Sequence, residues 1–392
     1  MDPDQPLRAL GGLTPEAFLR DYWGKKPLVV RGAFPDAAAV ITPDALKKLA
    51  TREEAVSRLV LEAGGAYPWE LRHGPFRARD FRGLPPAKWS LLVQEVDRFV
   101  PAARALLDPF AFVPRWRLDD VMVSYAPPEG GVGAHVDNYD VFLLQGMGRR
   151  RWRIGNAPVL PEGERLVDGL DVAVLADFAW TDEHVLEPGD MLYLPPRVAH
   201  EGLALDACLT LSIGFRAPSH AEIVGGYLEH ALAALPDGAF YADADLAPTE
   251  RPGEIDARAL EQVRGVLRAA LTDDEAIRGW FGTYVTERRR DVEPDDDAPA
   301  PATPDAVAAH VGAGRALRHA PGARVAYVRH DGETTLFARG QAYRLEPELA
   351  FAASLLADRT SVSAADLAHH LPTPDFADLV AALVADGALV WG

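Results

Sequence analysis

The chain has 392 residues, 48% of them hydrophobic and 25% charged, with 40 Lys+Arg against 58 Asp+Glu and a formal net charge of −18. This length exceeds the ~250–300 residues at which one core tends to split, so two or three domains are expected, and the composition excludes a disordered or fibrous chain. The acidity argues against an extended phosphate-binding surface, and serves either solubility alone or attraction of a basic protein partner.

No run approaches the ~18 apolar residues of a membrane span. The opening Met1-Asp2-Pro3-Asp4 lacks the basic and apolar regions of a signal peptide. One cysteine, Cys208, excludes an intramolecular disulfide and suits a reducing compartment. A cytoplasmic protein is expected.

In chain order, Pro15–Trp23 predicts a helix leading into a short strand at Pro27–Arg31. Further helices are predicted around Pro43–Leu49 and Trp89–Phe99. From Asp120 to Phe215 the pattern changes to short strands between turns, at Val121–Tyr125, Val141–Leu144, Arg151–Ile154, Met191–Leu194 and Leu209–Ile213. Such spacing suggests an antiparallel barrel or jelly roll. Near Arg216–Ser219 helical periodicity takes over, over 219–236 and 254–287. Asp291–Pro304, with its prolines and acids, reads as a solvated linker. Beyond it, Arg324–His330 and Thr334–Arg339 flank Asp331-Gly332, a hairpin turn signal. Helices at Pro347–Ala357, Ala364–His370 and Asp375–Asp386 and a strand at Ala388–Trp391 complete a winged-helix-like module. It carries seven arginines and ten acids over residues 301–392, a charge of −3. A DNA reader should present a basic stripe, so direct DNA binding is not expected. The expected division is a barrel domain at 1–216, a helical domain at 217–290, a linker at 291–304 and the winged-helix-like domain at 305–392.

The chemistry gathers at Gly130-Gly-Val-Gly-Ala-His135-Val-Asp137. On a strand, His135 and Asp137 would face the same side. One more inward histidine completes a two-histidine, one-carboxylate facial triad, the usual cradle of non-haem Fe(II). The candidate is His200, after Glu187-Pro-Gly-Asp190, a type II turn signal, and Pro195-Pro196, which should end regular pairing and leave the histidine on a loop. With 11 His and 35 Asp in 392 residues, about one His-x-Asp is expected by chance, and there is one. The tripeptide alone therefore decides nothing; its context does. In Arg149-Arg-Arg-Trp-Arg-Ile154, Arg150 shares a face with Trp152 and Ile154 and should be buried. A buried arginine needs an anionic partner, here either a structural carboxylate or a dicarboxylate cosubstrate.

Three motifs, Gly-Val-Gly-x-His-x-Asp-x-Tyr-Asp-Val-Phe, Gln-Gly-x-Gly-Arg-Arg-Arg-Trp-Arg and Pro-Gly-Asp-x-Leu-Tyr-x-Pro…His-Glu-Gly, resemble the JmjC ribosomal oxygenases, in particular the bacterial branch that hydroxylates an arginine of a large-subunit ribosomal protein. Tyr22-Trp23-Gly-Lys-Lys-Pro-Leu, Gly74-Pro-Phe76, Leu91–Asp97 and Leu211–Pro218 fit as well. The resemblance covers the first 218 residues in sequence and the remainder by architecture. It implies an α+β chain: a double-stranded β-helix (jelly-roll, cupin, JmjC) domain, a helical domain that mediates homodimerisation, and a winged-helix-like domain. It implies Fe(II) held by His135, Asp137 and His200, with 2-oxoglutarate and O2 as cosubstrates. Arg150 matches the position that grips the distal carboxylate of 2-oxoglutarate, and Ser124, Thr210 and Ser212 lie on strands that line that pocket. Tyr125, Tyr139 and Asp140 are the candidates for a mouth receiving a substrate guanidinium. Three rival readings stand beside it: hydroxylation of a ribosomal histidine, a ligand-sensing cupin and winged-helix regulator without catalysis, and a metal-free scaffold.

Overall fold

The computed structural model describes residues 4–62, 69–287 and 302–392. It divides into two compact units, Met1–Ala217 and Pro218–Gly392. Residues 291–301 of the expected linker lie outside the described residues.

The first unit opens with two helices whose starts are written into the sequence. In α1 (Pro15–Asp21) and α2 (Pro43–Leu49), a threonine side chain caps the first turn and proline takes the first helical position, where its missing N–H costs nothing. Short helices α3 (Val96–Phe99) and α4 (Pro101–Ala105) follow later. The strands in chain order are β1 (Leu28–Val30), β2 (Ser57–Glu62), β3 (Trp69–His73), β4 (Trp89–Val93), β5 (Leu118–Ala126), β6 (Val141–Met147), β7 (Arg150–Pro158), β8 (Asp182–Leu186), β9 (Met191–Leu194), β10 (Val198–Ala204) and β11 (Cys208–Phe215). All pairings are antiparallel. One sheet has eight strands in the order β1-β9-β6-β11-β5-β4-β2-β3; the other has three, β10-β7-β8. Together they are the two walls of a jelly roll.

Strand β6 shows how the walls are glued. Its Phe142 and Leu144 enter a large outer core with Phe18 of α1, Phe110, Tyr193 and Phe215. Val141 and Leu143, on the other face, pack between the sheets with Trp152, Ile154, Leu186, Leu192 and Leu194. Period-two alternation thus feeds two cores from one strand.

Three expectations for the first unit are corrected. Trp89–Val93 is not helical but strand β4, buried at all five positions between β2 and β5. A short run that is apolar on both faces carries no period to separate strand from helix. The segment holding His135 and Asp137 is not a regular strand; it makes a single bridge, His135 opposite His200. His200 itself sits within strand β10, not on a loop, because pairing resumes at Val198 after the turn at Pro196-Arg197.

In the second unit, α5 (His220–Ala233) begins with a full capping box between Ser219 and Glu222. The helix expected over 254–287 is two, α6 (Ala257–Leu271) and α7 (Asp274–Thr286). Asp273 breaks it by accepting hydrogen bonds from the Glu275 and Ala276 N–H groups and so capping a new helix. There follow α8 (Pro304–Gly312), β12 (Leu317–His319), β13 (Val325–His330), β14 (Glu333–Ala338), β15 (Gln341–Leu345), α9 (Ala350–Ala357), β16 (Ser361–Val362), α10 (Ala364–His370), α11 (Phe376–Ala385) and β17 (Leu389–Trp391). These form the sheets β16-β12-β17 and β13-β14-β15 of a winged helix. The β13–β14 hairpin turns on Asp331 and Gly332, both at positive φ (49° and 84°), as a two-residue turn of this kind requires. Helix α7 packs on the second of these sheets, where a Cβ on Gly282 would lie 2.5 Å from the Phe337 ring. No helix among the described residues is long and apolar enough to cross a membrane.

Candidate metal centre and active site

His135 and His200 exchange both backbone hydrogen bonds, each 3.0 Å. Residues directly opposite in such a pair project to one face, and here the two imidazoles lie 4.3 Å apart between ring centres. Asp137, two residues on, returns to the same side. One ligand atom from each of His135, Asp137 and His200 lies within 4.8 Å of the others. The ring orientations are set from behind. Nδ1 of His135 meets the Gly133 carbonyl at 3.0 Å and Nδ1 of His200 meets the Val198 carbonyl at 2.9 Å. A carbonyl only accepts, so each Nδ1 carries a proton and each Nε2 is turned towards the shared face. Burial, reinforced by His135 alongside, lowers His200 to about 4, so its imidazole stays neutral at neutral pH. This donor set, two imidazoles and a carboxylate on one face, suits a divalent metal with open positions.

Beside the triad, β10 and β7 pair so that His200, Gly202 and Ala204 stand opposite Ile154, Trp152 and Arg150. Arg150 is 3% exposed, facing inward with Trp152 and Ile154. Its guanidinium lies over the Trp152 ring at 5.1 Å. Nη1 donates to Ser124 Oγ and Thr210 Oγ1, both at 3.3 Å, and Nη2 to the Gly202 carbonyl at 3.2 Å. Ser124 and Thr210 are opposite one another on β5 and β11. Ser212 is buried on the same face as Thr210 but is not among Arg150's hydrogen-bond partners. All of Arg150's acceptors among the described residues are neutral, and its buried Nε has no partner among them. Burial pulls the Arg150 pKa down, the sign of a charge without compensation. A cation so placed fits an anionic ligand.

The three mouth candidates separate. Tyr139 is 39% exposed, with its hydroxyl on Asp137, and so lies at the rim. Tyr125 faces away from Ser124, with its ring against Trp89 at 5.6 Å and the Lys47 ammonium 5.0 Å above it. Asp140 is buried, accepting from the Tyr193 hydroxyl (2.6 Å) and the Gly24 N–H (3.2 Å) with Arg117 at 3.7 Å. Its carboxylate is already engaged.

Two features escaped the sequence reading. A Cβ on Gly202 would lie 2.7 Å from the Trp152 ring and 2.8 Å from Arg150 Nε, so only glycine leaves them room. Asp119 and Asp120 converge with Tyr139 around Gly214, where a Cβ would sit 3.9, 3.7 and 4.0 Å from them. Burial, with Asp119, Asp97 and Glu95 nearby, pushes Asp120 up to about 7, although it accepts from the Glu95 N–H at 2.7 Å. Asp-Asp at the start of a strand looks like ordinary turn chemistry; only the packing brings the pair beside Tyr139.

Comparison with known proteins matches this architecture. The JmjC domain family matches residues 105–223 and the ROXA-like winged helix residues 269–390. The ribosomal protein uL16 3-hydroxylase of Escherichia coli (strain K12) is 35% identical over 370 residues, 94% of this chain and 95% of that protein. The X-ray structure of E. coli ycfD superposes with a TM-score of 0.85 at 33% identity, covering 97% of this chain and 98% of the other. The E. coli ribosomal oxygenase YcfD in complex with cobalt and 2-oxoglutarate has a TM-score of 0.82, also at 33% identity over 97% and 98%. On this identity over nearly its whole length, the chain belongs to the JmjC-domain ribosomal oxygenases.

Proposed function

We propose that the chain is an Fe(II)- and 2-oxoglutarate-dependent oxygenase that hydroxylates an arginine side chain of a basic large-subunit ribosomal protein. The observation that carries this reading is the triad beside a buried arginine whose acceptors are all neutral and whose Nε is unpartnered. His135, Asp137 and His200 would hold the metal, and Arg150 would take the distal carboxylate of 2-oxoglutarate, with Ser124 and Thr210 orienting its guanidinium. With O2, the metal and 2-oxoglutarate supply the oxidising power for an unactivated C–H bond. The protein's own groups fix the ligand set, bind the dicarboxylate and orient the substrate. The relative in E. coli is named for a ribosomal protein, and a net charge of −18 would steer a cationic polypeptide while repelling RNA. At the rim, Tyr139 with Asp119 and Asp120 offers acceptors to a guanidinium, which favours arginine over a neutral histidine.

The helices α5 and α6 support a homodimer through residues 217–290. Val224, Leu228 and Leu232 on α5 and Leu260, Val263, Leu267 and Leu271 on α6 are exposed at spacings of three or four. Apolar stripes of this extent mark an interface. A cytoplasmic location accords with the substrate.

The test is to incubate the enzyme, Fe(II), ascorbate and 2-oxoglutarate with ribosomal peptides and locate a single added oxygen by fragmentation. Arginine is the expected site, and arginine-to-lysine replacement in the peptide should abolish the reaction, because an ammonium lacks the planar donor fork. An oxygen on histidine would overturn the residue assignment. Sedimentation at micromolar concentration should show a dimer, and Leu232→Asp should dissociate it.

A further inference from the structure

Arg197 occupies a backbone conformation that suits glycine. Its φ is +67°, in the left-handed region that non-glycine residues enter only when the surroundings hold them there. Five hydrogen bonds hold it: its carbonyl accepts from the Val159 N–H at 2.8 Å, and it donates the other four. The backbone N–H donates to the Asp137 carbonyl at 2.7 Å. In the side chain, Nε donates to the Val159 carbonyl and Nη1 to Asn138 Oδ1, each at 2.9 Å, and Nη2 donates to the Glu164 carboxylate. The guanidinium is half-buried against these partners.

Those partners come from two places. Asp137 and Asn138 belong to the segment that bears His135 and Asp137 of the triad, which has one bridge, at His135, and no ladder. Val159 and Glu164 belong to the insert between β7 and β8. That insert has a second tether, from the Leu175 N–H to the Ala134 carbonyl at 2.8 Å. There Val174 packs so closely that a Cβ on Gly133 would lie 2.8 Å from it. The insert therefore grips the ligand segment just before His135 and, through Arg197, just after Asp137.

We infer that Arg197 is a positioning residue: it clamps the Asp137 segment between β10 and the 159–181 insert and so fixes the direction of the Asp137 carboxylate. His135 and His200 are held by their mutual bridge and their Nδ1 bonds. Asp137 lies beyond the bridge, and the Arg197 N–H and guanidinium stand in for the missing sheet. Loss of such outer support typically weakens metal binding by about 10–100-fold. The inference rests on the reading of His135, Asp137 and His200 as metal ligands.

The experiment compares the tag-free full chain with Arg197→Gly, Arg197→Lys and Asn138→Ala. Co(II) binding is measured by calorimetry and by visible absorption, with neither cosubstrate nor peptide present. Arg197→Gly relieves the left-handed strain and keeps the backbone hydrogen bonds to Asp137 and Val159 while deleting the guanidinium half of the clamp, so its thermal unfolding should stay close to the parent's. Its Co(II) affinity should fall by about tenfold, with altered visible bands that report a changed ligand geometry. Arg197→Lys should recover only part of the affinity, since one ammonium cannot span three divergent acceptors. Asn138→Ala should fall between parent and Arg197→Gly. A parent that binds Co(II) while all variants match its affinity and spectrum overturns the inference alone. A parent that binds no Co(II) overturns the metal reading and the inference with it. If Arg197→Gly fails to fold, Arg197→Lys and Asn138→Ala decide by the same criterion.

Discussion

Arg150 and Arg153 lie three residues apart on β7 and meet opposite surroundings. Arg153, on the outer face, pairs with Glu183 at 3.0 Å and Glu201 at 3.4 Å and lies 4.8 Å over the Trp180 ring. Arg150, on the inner face, is given only two hydroxyls and a carbonyl. Where arginine serves the surface, the protein supplies carboxylates from the neighbouring strands. Where arginine is buried and the electrostatic need is greatest, none is supplied among the described residues. A fold that required the inner cation for stability alone would be better served by an apolar residue of similar volume. The comparison teaches that the missing counter-charge is itself the functional signal.

The sharpest way to break the comparison is Arg150→Ala. If the inner arginine is completed by 2-oxoglutarate, removing it deletes one member of a buried pair, a loss of about 3–5 kcal/mol. The 2-oxoglutarate KM should then rise by about two to three orders of magnitude. An unchanged KM in steady-state turnover would return Arg150 to structure.

Gly202→Ala probes the same inner face without touching charge. The added methyl would press on the Trp152 ring and Arg150 Nε. Overpacking of this kind costs about 1–3 kcal/mol. Urea unfolding should show the lower stability, and the 2-oxoglutarate KM should rise as Arg150 is displaced. A variant with parental stability and KM would show that the pocket yields freely.

Asp120 extends the comparison to an acid. Its folded pKa of about 7 stands above the ordinary value of 3.8, so between those values the folded state holds the extra proton. Folding stability should therefore decline as pH rises from 4 to 7, and Asp120→Asn should flatten that slope. Ionisation also readies the rim for a cation, so the peptide KM should fall as pH rises from 6 to 8. A charge-assisted hydrogen bond of ~1.5 kcal/mol would make that about a tenfold change. The same KM profile in Asp120→Asn would remove Asp120 from the substrate side.

The smallest effect belongs to the outer face. Arg153→Ala should change stability by less than about 1 kcal/mol and leave the 2-oxoglutarate KM alone, because partly exposed pairs gain little over water. A large effect on KM would mean that the two faces are not independent.

Much of this was legible beforehand where the signal is local. Pro15–Trp23 and Pro43–Leu49 announced their helices, Asp331-Gly332 its hairpin, and Glu187-Pro-Gly-Asp190 its turn, which closes with Gly189 at φ +93° and Asp190 N–H on the Glu187 carbonyl. Each rests on backbone chemistry within four residues. Trp89–Val93 failed for the complementary reason. With both faces buried, its type was decided by β2 and β5 lying on either side. Asp273 could have been read as a cap, yet unbroken apolar periodicity across it argued for one helix.

For the site, sequence by itself determined the donor types, the His135-x-Asp137 spacing and the parity that turns Arg150 inward with Trp152 and Ile154. Those properties follow from side-chain chemistry and the period of two. Tertiary structure alone decided that His200 stands opposite His135 in a two-residue bridge and that Asp137 is held by Arg197 rather than by a ladder. It decided too that Asp140 is committed to Tyr193 while Asp120 lies beside Tyr139 around Gly214. Such contacts join residues tens of positions apart. Which partner a side chain meets depends on the register of strands that pair across the whole barrel, and no short window of sequence encodes that register.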